Sequence, residues 1–303
     1  MIVREGKASK ALGLIGIGKM GMPMGLNLLK AGYALTVYAR NRDASRPLLD
    51  SGAKSSDSPR KLIEDVEVVV LSLPTPRDVS EIIFGNLGLA ISRRAEGRTI
   101  IDTSTIDPKT SRLIARRLEA IGVNYLDAPV SGGPEGAANA SLTFMVGGKR
   151  EVFEESLDIF GAMGKNMVYM GTSGSGTGAK LVNQLLVASN TLAGAEAMQL
   201  SIALGLDSQR IIDVIKTSAG DSFAFRRVAP KIAEGSFGSG WQTWLLEKDL
   251  NLLLQTGSDL GLPSVSVKTS KEVFSKAVGE GYGNVDSSSV IKTLDKMKTK
   301  PGS

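Results

Sequence analysis

Cysteine and histidine are both absent from this chain of 303 residues. Without cysteine there is no disulfide, no thiolate metal ligand and no cysteine nucleophile. Without histidine there is no imidazole base and no imidazole ligand. Acid–base chemistry therefore falls to Lys, Tyr, Asp or Glu. The carboxylates form no clustered ligand motif, so no metal is expected. Charge of one sign is not concentrated either: the net charge is +5, with Lys and Arg scattered. That balance suits a small anion or a phosphate-bearing cofactor and points to no nucleic-acid partner. The most apolar long stretch, residues 179–204, contains Lys180, Asn183, Gln184, Asn190 and Glu196, so no membrane span is expected. Residues 1–10 are too short and polar for a secretory leader, and a cytoplasmic location is the expectation.

Glycine, by contrast, is plentiful at 35 residues, and its most organised use lies in residues 11–41, ALGLIGIGKMGMPMGLNLLKAGYALTVYARN. Residues 11–15 are an apolar run without breakers. Gly16, Gly18 and Gly21 then fall in a G-x-G-x-x-G pattern. Leu26, Leu28 and Leu29 give the next segment an apolar helical face that ends at Gly32, and residues 34–38 read as a second strand. Strand, glycine turn, helix, strand is the context of a dinucleotide-binding turn. Gly16 makes the tight turn, Gly18 lets the backbone approach a pyrophosphate, and Gly21 lets helix and sheet pack closely. Lys19 and Met20 fall in the same turn, and the pyrophosphate would face the unpaired N–H groups of the helix start. An NAD site places a carboxylate at the end of the second strand. Here that end reads Tyr38-Ala39-Arg40-Asn41-Arg42, with the first carboxylate at Asp43. The Arg40 guanidinium matches a 2′-phosphate and Asn41 is a second donor, so NADPH/NADP+ is expected over NADH/NAD+.

The order of elements continues as alternating strands and helices. Residues 43–50 and 56–65 read as helices around a turn at Gly52-Ala53, and residues 66–73 as a buried strand stopped by a stiff Pro74-Thr75-Pro76 loop. Leu73 and Pro74 lie at the carboxyl end of that strand, the ligand side of an open parallel sheet. Residues 98–102 are the next strand, with Thr103, Ser104 and Thr105 at its end and a capped helix over 108–121. Residues 123–128 are another strand, running into Ser131, Gly132 and Gly133, a donor nest for a carboxylate. Strands over 142–146 and 166–170 flank a helix over 151–160. This predicts a Rossmann-type, doubly wound α/β domain over residues 10–173.

The GTSGSGTG segment, 171–178, reads as a flexible punctuator before a long central helix over 179–204. Lys180 falls in the first turn of that helix, one turn from Asn183 and Gln184. The remaining segments, 208–217, 224–234, 244–257, 264–279 and 287–298, are helical. An all-α domain over 174–299 is expected, and its very apolar first helix suggests a homodimer or homotetramer.

With these residues in place the chain resembles the 3-hydroxyacid dehydrogenase family, which includes 3-hydroxyisobutyrate dehydrogenase, tartronate semialdehyde reductase and the plant-type glyoxylate/succinic semialdehyde reductases. The resemblance spans residues 12–296 and rests on four blocks: GLIGIGKMGMPMGLNLLKAG at 13–32, DAPVSGG at 127–133 with SLTFMVGG at 141–148, GSGTGAKLVNQLL at 174–186, and EKDLNLLL at 247–254. It implies that Lys180 is the catalytic lysine and that Ser131, Gly132 and Gly133 hold the substrate carboxylate. It further implies that Asn183 is a substrate contact, that Lys248 reaches the cofactor, and that Leu73, Pro74 and Thr105 are cofactor contacts. Arg40 falls on the arginine of the NADPH-preferring members, while Asn41 stands where they often have threonine. Gln184 is read as a second substrate contact; it stands where many members have asparagine, which leans toward a more polar substrate. The segment 218–227, SAGDSFAFRR, lies where members vary.

The function these readings imply is an NADPH-preferring oxidoreductase that interconverts a short 3-hydroxy acid and its semialdehyde by hydride transfer, with Lys180 as acid and base. Two alternatives stand beside it. One is a reductase of another carbonyl or an imine on the same scaffold, although imine-reducing relatives usually lack the lysine. The other is a non-catalytic dinucleotide-binding protein.

Overall fold

The structure is a computed structural model that describes residues 10–238 and 240–298. The lead-in read at residues 1–10 lies, apart from Lys10, outside the described residues, as does Thr299 at the expected end of the second domain. By packing the chain divides into two units, one reaching Lys180 and one starting at Leu181.

Nine strands are found among the described residues, all in the first unit: β1 (Leu12–Ile15), β2 (Leu35–Tyr38), β3 (Lys54–Ser55), β4 (Val68–Leu71), β5 (Thr99–Asp102), β6 (Asn124–Asp127), β7 (Val130–Ser131), β8 (Leu142–Gly147) and β9 (Gly164–Gly171). They form one sheet in the order β3-β2-β1-β4-β5-β6-β8-β7, with β9 also paired to β8. β1 to β6 are parallel. β8 runs antiparallel to β6 and β7, and β9 parallel to β8. Side chains alternate across a strand, and both faces of this sheet are covered. Leu12, Leu14, Val68 and Val70 enter one core with Met24, Leu28 and Phe160. Ile15, Val69, Leu71 and Ile100 enter the other with Ile63, Val79 and Ile114. Burial on both faces is why the parallel strands read as continuous apolar runs.

The covering helices are α1 (Gly21–Lys30), α2 (Arg46–Asp50), α3 (Pro59–Asp65), α4 (Pro76–Phe84), α5 (Pro108–Glu119), α6 (Gly133–Ala138), α7 (Arg150–Glu154) and α8 (Leu157–Met163). Three of them start the same way. Ser58, Thr75 and Asp107 each accept, through the side chain, from the backbone N–H three residues on, and each is followed by proline at the first helical position.

α9 (Ser175–Ala203) leads into the second unit, where α10 (Ser208–Ile215), α11 (Phe223–Glu234), α12 (Thr243–Asp259), α13 (Val265–Ala277) and α14 (Val290–Lys296) follow. Its core joins Leu192, Met198, Val228, Leu250 and Phe274. A second tie is electrostatic. The fully buried Asp286 carboxylate accepts from Arg227, Lys231, the Trp241 amide and Ser288. Burial pushes that carboxyl up, but the Arg227 charge and the donors around it outweigh burial and hold it below the usual range.

The architecture is the expected one, a Rossmann-type sheet domain followed by a helical domain. Local differences have physical causes. α4 was not expected beyond the Pro74-Thr75-Pro76 loop, yet Thr75 caps it through the Asp78 amide. β3 pairs with β2 where only a turn was read. The helix expected over 151–160 is broken at Ser156, whose hydroxyl donates back to the Val152 carbonyl. The flexible punctuator is not one: from Ser175 it is the start of α9. Lys180 therefore sits in the second turn of its helix, not the first. The expected boundary after residue 173 and the packing division at Lys180 differ by that opening of α9.

One buried carboxylate makes the sheet's stability pH-dependent. Asp102 ends β5 and accepts from the Ser104 amide and the Tyr125 hydroxyl. Burial, opposed by these donors and aided by the neighbouring Asp127, pushes its carboxyl up from 3.8 to about 6. Between those values the folded chain keeps a proton that the unfolded chain has released, so stability falls as pH rises. Relative to Asp102→Asn, which does not titrate, the wild-type unfolding free energy should fall by on the order of 2–3 kcal/mol from pH 3.5 to 7.5 in urea titrations. A pH-independent difference would show that Asp102 ionises normally.

Candidate functional site

The residues singled out in the first unit collect at one edge of the sheet, the carboxyl ends of β1, β2, β4, β5 and β6. Chain order reverses between β1 and β4, since β2 lies on one side of β1 and β4 on the other. That is where an open α/β sheet leaves a crevice for a ligand.

The glycine turn shows what each position is for. Gly16 has φ +97°, and a Cβ there would lie 2.1 Å from the Ser72 carbonyl oxygen. A Cβ at Gly21 would lie 1.9 Å from the carbonyl oxygen of Gly16. Both are fixed by close backbone packing. At Gly18 a Cβ would meet nothing within 4 Å, so this glycine faces open space rather than protein. Behind it α1 begins at Gly21 with no side-chain cap and no acidic residue in its first turn. Exposed Lys19 and half-buried Met20 complete the turn. An uncapped helix start beside a side-chain-free turn fits a pyrophosphate.

At the end of β2 the Arg40 side chain is 75% exposed, and its Nη2 lies 3.4 Å from Asp78 Oδ1. Asn41 uses its side-chain oxygen to accept from the Asp43 amide, which leaves Nδ2 as its donor end. At the end of β4 the Leu73 amide donates to the Ser104 hydroxyl, which ties the Leu73-Pro74 corner to the end of β5. Leu73, Pro74 and Thr105 are all half-buried. The Ser104 bridge and the Asp78 partner were not read from the sequence; the Thr-Pro-x-Asp cap of α4 was the available signal for Asp78.

The end of β6 carries the most constrained geometry. Ser131 closes β7, and Gly132 and Gly133 follow at φ +129° and +63°. Both conformations are in the positive-φ region that favours glycine. Gly133 is also the first residue of α6. Four residues before Ser131, the buried Asp127 carboxylate accepts from the amides of Gly174 and Thr177, both at 2.8 Å, and from the Thr177 hydroxyl. It caps α9, the helix that carries Lys180 one turn later. Burial pushes the Asp127 carboxyl up, against the pull of these donors. A Cβ at Gly176 would lie 2.3 Å from the carbonyl oxygens of Asp127 and Met145, so glycine is required where α9 meets the sheet. Lys180 is 4% exposed.

Asn183, Gln184 and Lys248 belong to the second unit. Gln184 is fully buried, donates to Asp249 Oδ2 at 2.5 Å and accepts from Asn183 Nδ2 at 3.0 Å. Lys248 Nζ lies 2.9 Å from Asp249 Oδ1, an ion pair without hydrogen-bond alignment. The amide of Gln184, the expected substrate contact beside Asn183, is thus bonded at both ends to neighbouring side chains. Among the described residues no group of acidic side chains is arranged to hold a metal, and no helix is long and apolar enough to cross a membrane.

Two family models match the chain. Residues 11–171 match the NAD binding domain of 6-phosphogluconate dehydrogenase, and residues 174–294 match the NAD-binding domain of NADP-dependent 3-hydroxyisobutyrate dehydrogenase. The chain is 36% identical to bovine (Bos taurus) mitochondrial 3-hydroxyisobutyrate dehydrogenase, covering 96% of this chain and 89% of the relative. It is 34% identical to 2-hydroxy-3-oxopropionate reductase of Escherichia coli, covering 94% and 97%. The solved structure of Mycobacterium tuberculosis 3-hydroxyisobutyrate dehydrogenase with L-serine superposes with a TM-score of 0.86 at 30% identity, covering 95% of this chain and 99% of that one.

Removing the Asp127 cap should be felt locally and globally. Asp127→Ala deletes three buried acceptor contacts, at a cost of roughly 2–4 kcal/mol. Hydrogen exchange at the Thr177 and Gly178 amides should accelerate well beyond that of β1 and β4. Uniform acceleration through the first unit would mean that Asp127 stabilises the sheet rather than the helix start.

Proposed function

The chain belongs to the 3-hydroxyacid dehydrogenase family of NAD(P)-dependent oxidoreductases, which act on small hydroxy acids and their semialdehydes, and on that premise we propose its reaction. A short 3-hydroxy acid and its semialdehyde are interconverted, with NADPH preferred and reduction the working direction. The observation that carries this reading is the Asp127 carboxylate, which joins the loop leading to Ser131, Gly132 and Gly133 to the helix bearing the buried Lys180.

The nicotinamide of the bound cofactor supplies or accepts the hydride at the substrate's C3. The protein's own part is to hold the acid and manage one proton. The Ser131 hydroxyl and the amides of Gly132 and Gly133 take the substrate carboxylate, whose charge suits converging donors. Lys180 Nζ meets the C3 oxygen. In reduction the ammonium gives that oxygen its proton and stabilises the negative charge that grows on it. In oxidation the neutral amine takes the hydroxyl proton. Histidine is absent, which leaves Lys, Tyr, Asp or Glu for this work, and Lys180 is the group proposed. Asn183 is the proposed substrate contact beyond the nest. Gly16, Gly18, Lys19, Met20, Gly21, Leu73, Pro74, Thr105 and Lys248 are the proposed cofactor contacts.

Support for NADPH comes from the end of β2, where Arg40 and Asn41 stand in place of a ribose-binding carboxylate. Arg40 would exchange its exposed pairing with Asp78 for a 2′-phosphate, an exchange that costs little because exposed ion pairs contribute about 0–1 kcal/mol. A cytoplasmic homodimer or homotetramer completes the proposal.

Steady-state assays should resolve the proposal into parts. Lys180→Ala should lower turnover by about 10²–10⁴-fold while NADPH binding, followed by its fluorescence, stays within a few-fold; near-full activity in that variant would remove lysine acid–base catalysis. Arg40→Ala should raise the KM for NADPH by roughly tenfold or more and leave that for NADH nearly unchanged; equal effects on both would remove the 2′-phosphate assignment. A screen of glyoxylate and of succinic, tartronate and methylmalonate semialdehydes should give one clear NADPH-dependent winner. Silence on all four with NADPH bound would move the function to another carbonyl or an imine.

A further inference from the structure

We propose that Gln184 is a positioning residue that links the side chain proposed to touch substrate, Asn183, to the one proposed to touch cofactor, Lys248, through the buried carboxylate of Asp249. The inference rests on the roles given to Asn183 and Lys248 above, but the linkage itself is a matter of geometry. Asn183 Nδ2 donates to Gln184 Oε1 at 3.0 Å, Gln184 Nε2 donates to Asp249 Oδ2 at 2.5 Å, and Asp249 Oδ1 lies 2.9 Å from Lys248 Nζ. The four side chains form one continuous polar line from α9 to α12. Gln184 is 0% exposed and Asp249 3% exposed, so water does not compete for the central link.

Only a glutamine satisfies both ends of the link. Its neutral amide offers an acceptor to Asn183 and a donor to Asp249 at the same time. Asparagine has the same groups but is one methylene shorter, and would give up one end. Leucine would leave Asp249 Oδ2 buried without its donor, an arrangement more costly than never having buried the pair. Glutamate would set two carboxylates against each other and link them only while it holds a proton. Neighbouring residues on a helix project about 100° apart, so Asn183 is not held by helix geometry alone. The bond to Gln184 selects its orientation. At the other end Asp249 holds the Lys248 ammonium, and Gln184 fixes the opposite oxygen of that carboxylate.

Substrate affinity and cofactor affinity should then depend on one residue that touches neither. The test compares wild type, Gln184→Leu and Gln184→Glu in the full-length protein, with folding followed by thermal melting. NADPH dissociation constants come from fluorescence titration without turnover, and substrate KM and kcat are read with the best substrate of the screen. Each is measured from pH 5.5 to 9. In Gln184→Leu both the NADPH Kd and the substrate KM should rise about tenfold, the effect of one lost hydrogen bond, equally at every pH. In Gln184→Glu both constants should lie near wild type at low pH, where the new carboxylic acid donates to Asp249. They should climb to or beyond the leucine variant as pH rises. A residue with a merely structural role would lower the melting temperature without this pH-dependent pair of shifts. A rise in substrate KM alone, with NADPH Kd unchanged, would return Gln184 to direct substrate contact and overturn the linkage, as would folded variants with both constants unchanged. If the leucine variant does not fold, the pH course of Gln184→Glu decides by itself. If no acid is turned over, the proposed reaction fails, while the NADPH titrations still accept or reject the Gln184–Asp249–Lys248 arm.

Discussion

Asp127 closes β6 with its carboxylate turned into the protein, where it accepts from the amides of Gly174 and Thr177 and from the Thr177 hydroxyl. A helix start carries unpaired N–H groups and partial positive charge, and a carboxylate answers both. The approach is so close that side chains are excluded around it. A Cβ on Gly147 would lie 2.7 Å from Asp127 Oδ1, and one on Gly176 would lie 2.3 Å from the Asp127 carbonyl oxygen. The end of β6, the end of β8 and the first turn of α9 therefore meet backbone to backbone. The register of α9 is set there, and with it the direction in which Lys180 leaves the helix. The same strand end launches the loop to Ser131, Gly132 and Gly133, so one contact fixes two parts of the proposed chemistry.

The rest of the first unit supplies a rigid frame for this junction. Parallel pairing of β1, β2, β4, β5 and β6 puts all their carboxyl ends on one edge. A different residue of the proposed site stands at each end, with Gly16 after β1, Arg40 after β2, Leu73 after β4, Thr105 after β5 and Ser131 closing β7, beyond β6. Small hydrogen bonds lock neighbouring ends together, such as Leu73 to the Ser104 hydroxyl and Tyr125 to Asp102. Cores on both faces keep the strands from shifting register, since a slip by one residue would exchange the faces of Leu14 and Ile15.

Much of this was legible in the sequence because it rests on local rules. Glycine spacing at 16, 18 and 21, the β-branched run of β4 and the capped helix that starts at Pro108 follow from conformation alone. So did the sheet-then-helix division of the chain. What escaped was set by partners far along the chain. The residues of GTSGSGTG are individually turn formers, and only Asp127, 47 residues before Gly174, turns the latter part of that run into a helix start. Gln184 stands next to Asn183, but its bond to Asp249, 65 residues on, has no local signature. Asp102 gave no sign of an altered proton affinity, because burial is a property of the folded sheet. In each case a single long-range polar contact or the burial of one group added what local patterns do not carry.

The two halves of the proposed site differ in how freely they can change over evolutionary time. Lys180 is enclosed, and its helix is registered by contacts that tolerate no added atom. Arg40 stands at a strand end with most of its side chain in water and a weak partner in Asp78. Substitutions at such a surface position usually alter stability by within about 0.5 kcal/mol. On the proposed roles, selection could revise which dinucleotide a descendant of this chain prefers one tolerated step at a time, while a change at the lysine or its clamp would disturb the packing around it. Coenzyme choice, on those roles, belongs to the outside of the fold and proton transfer to its interior.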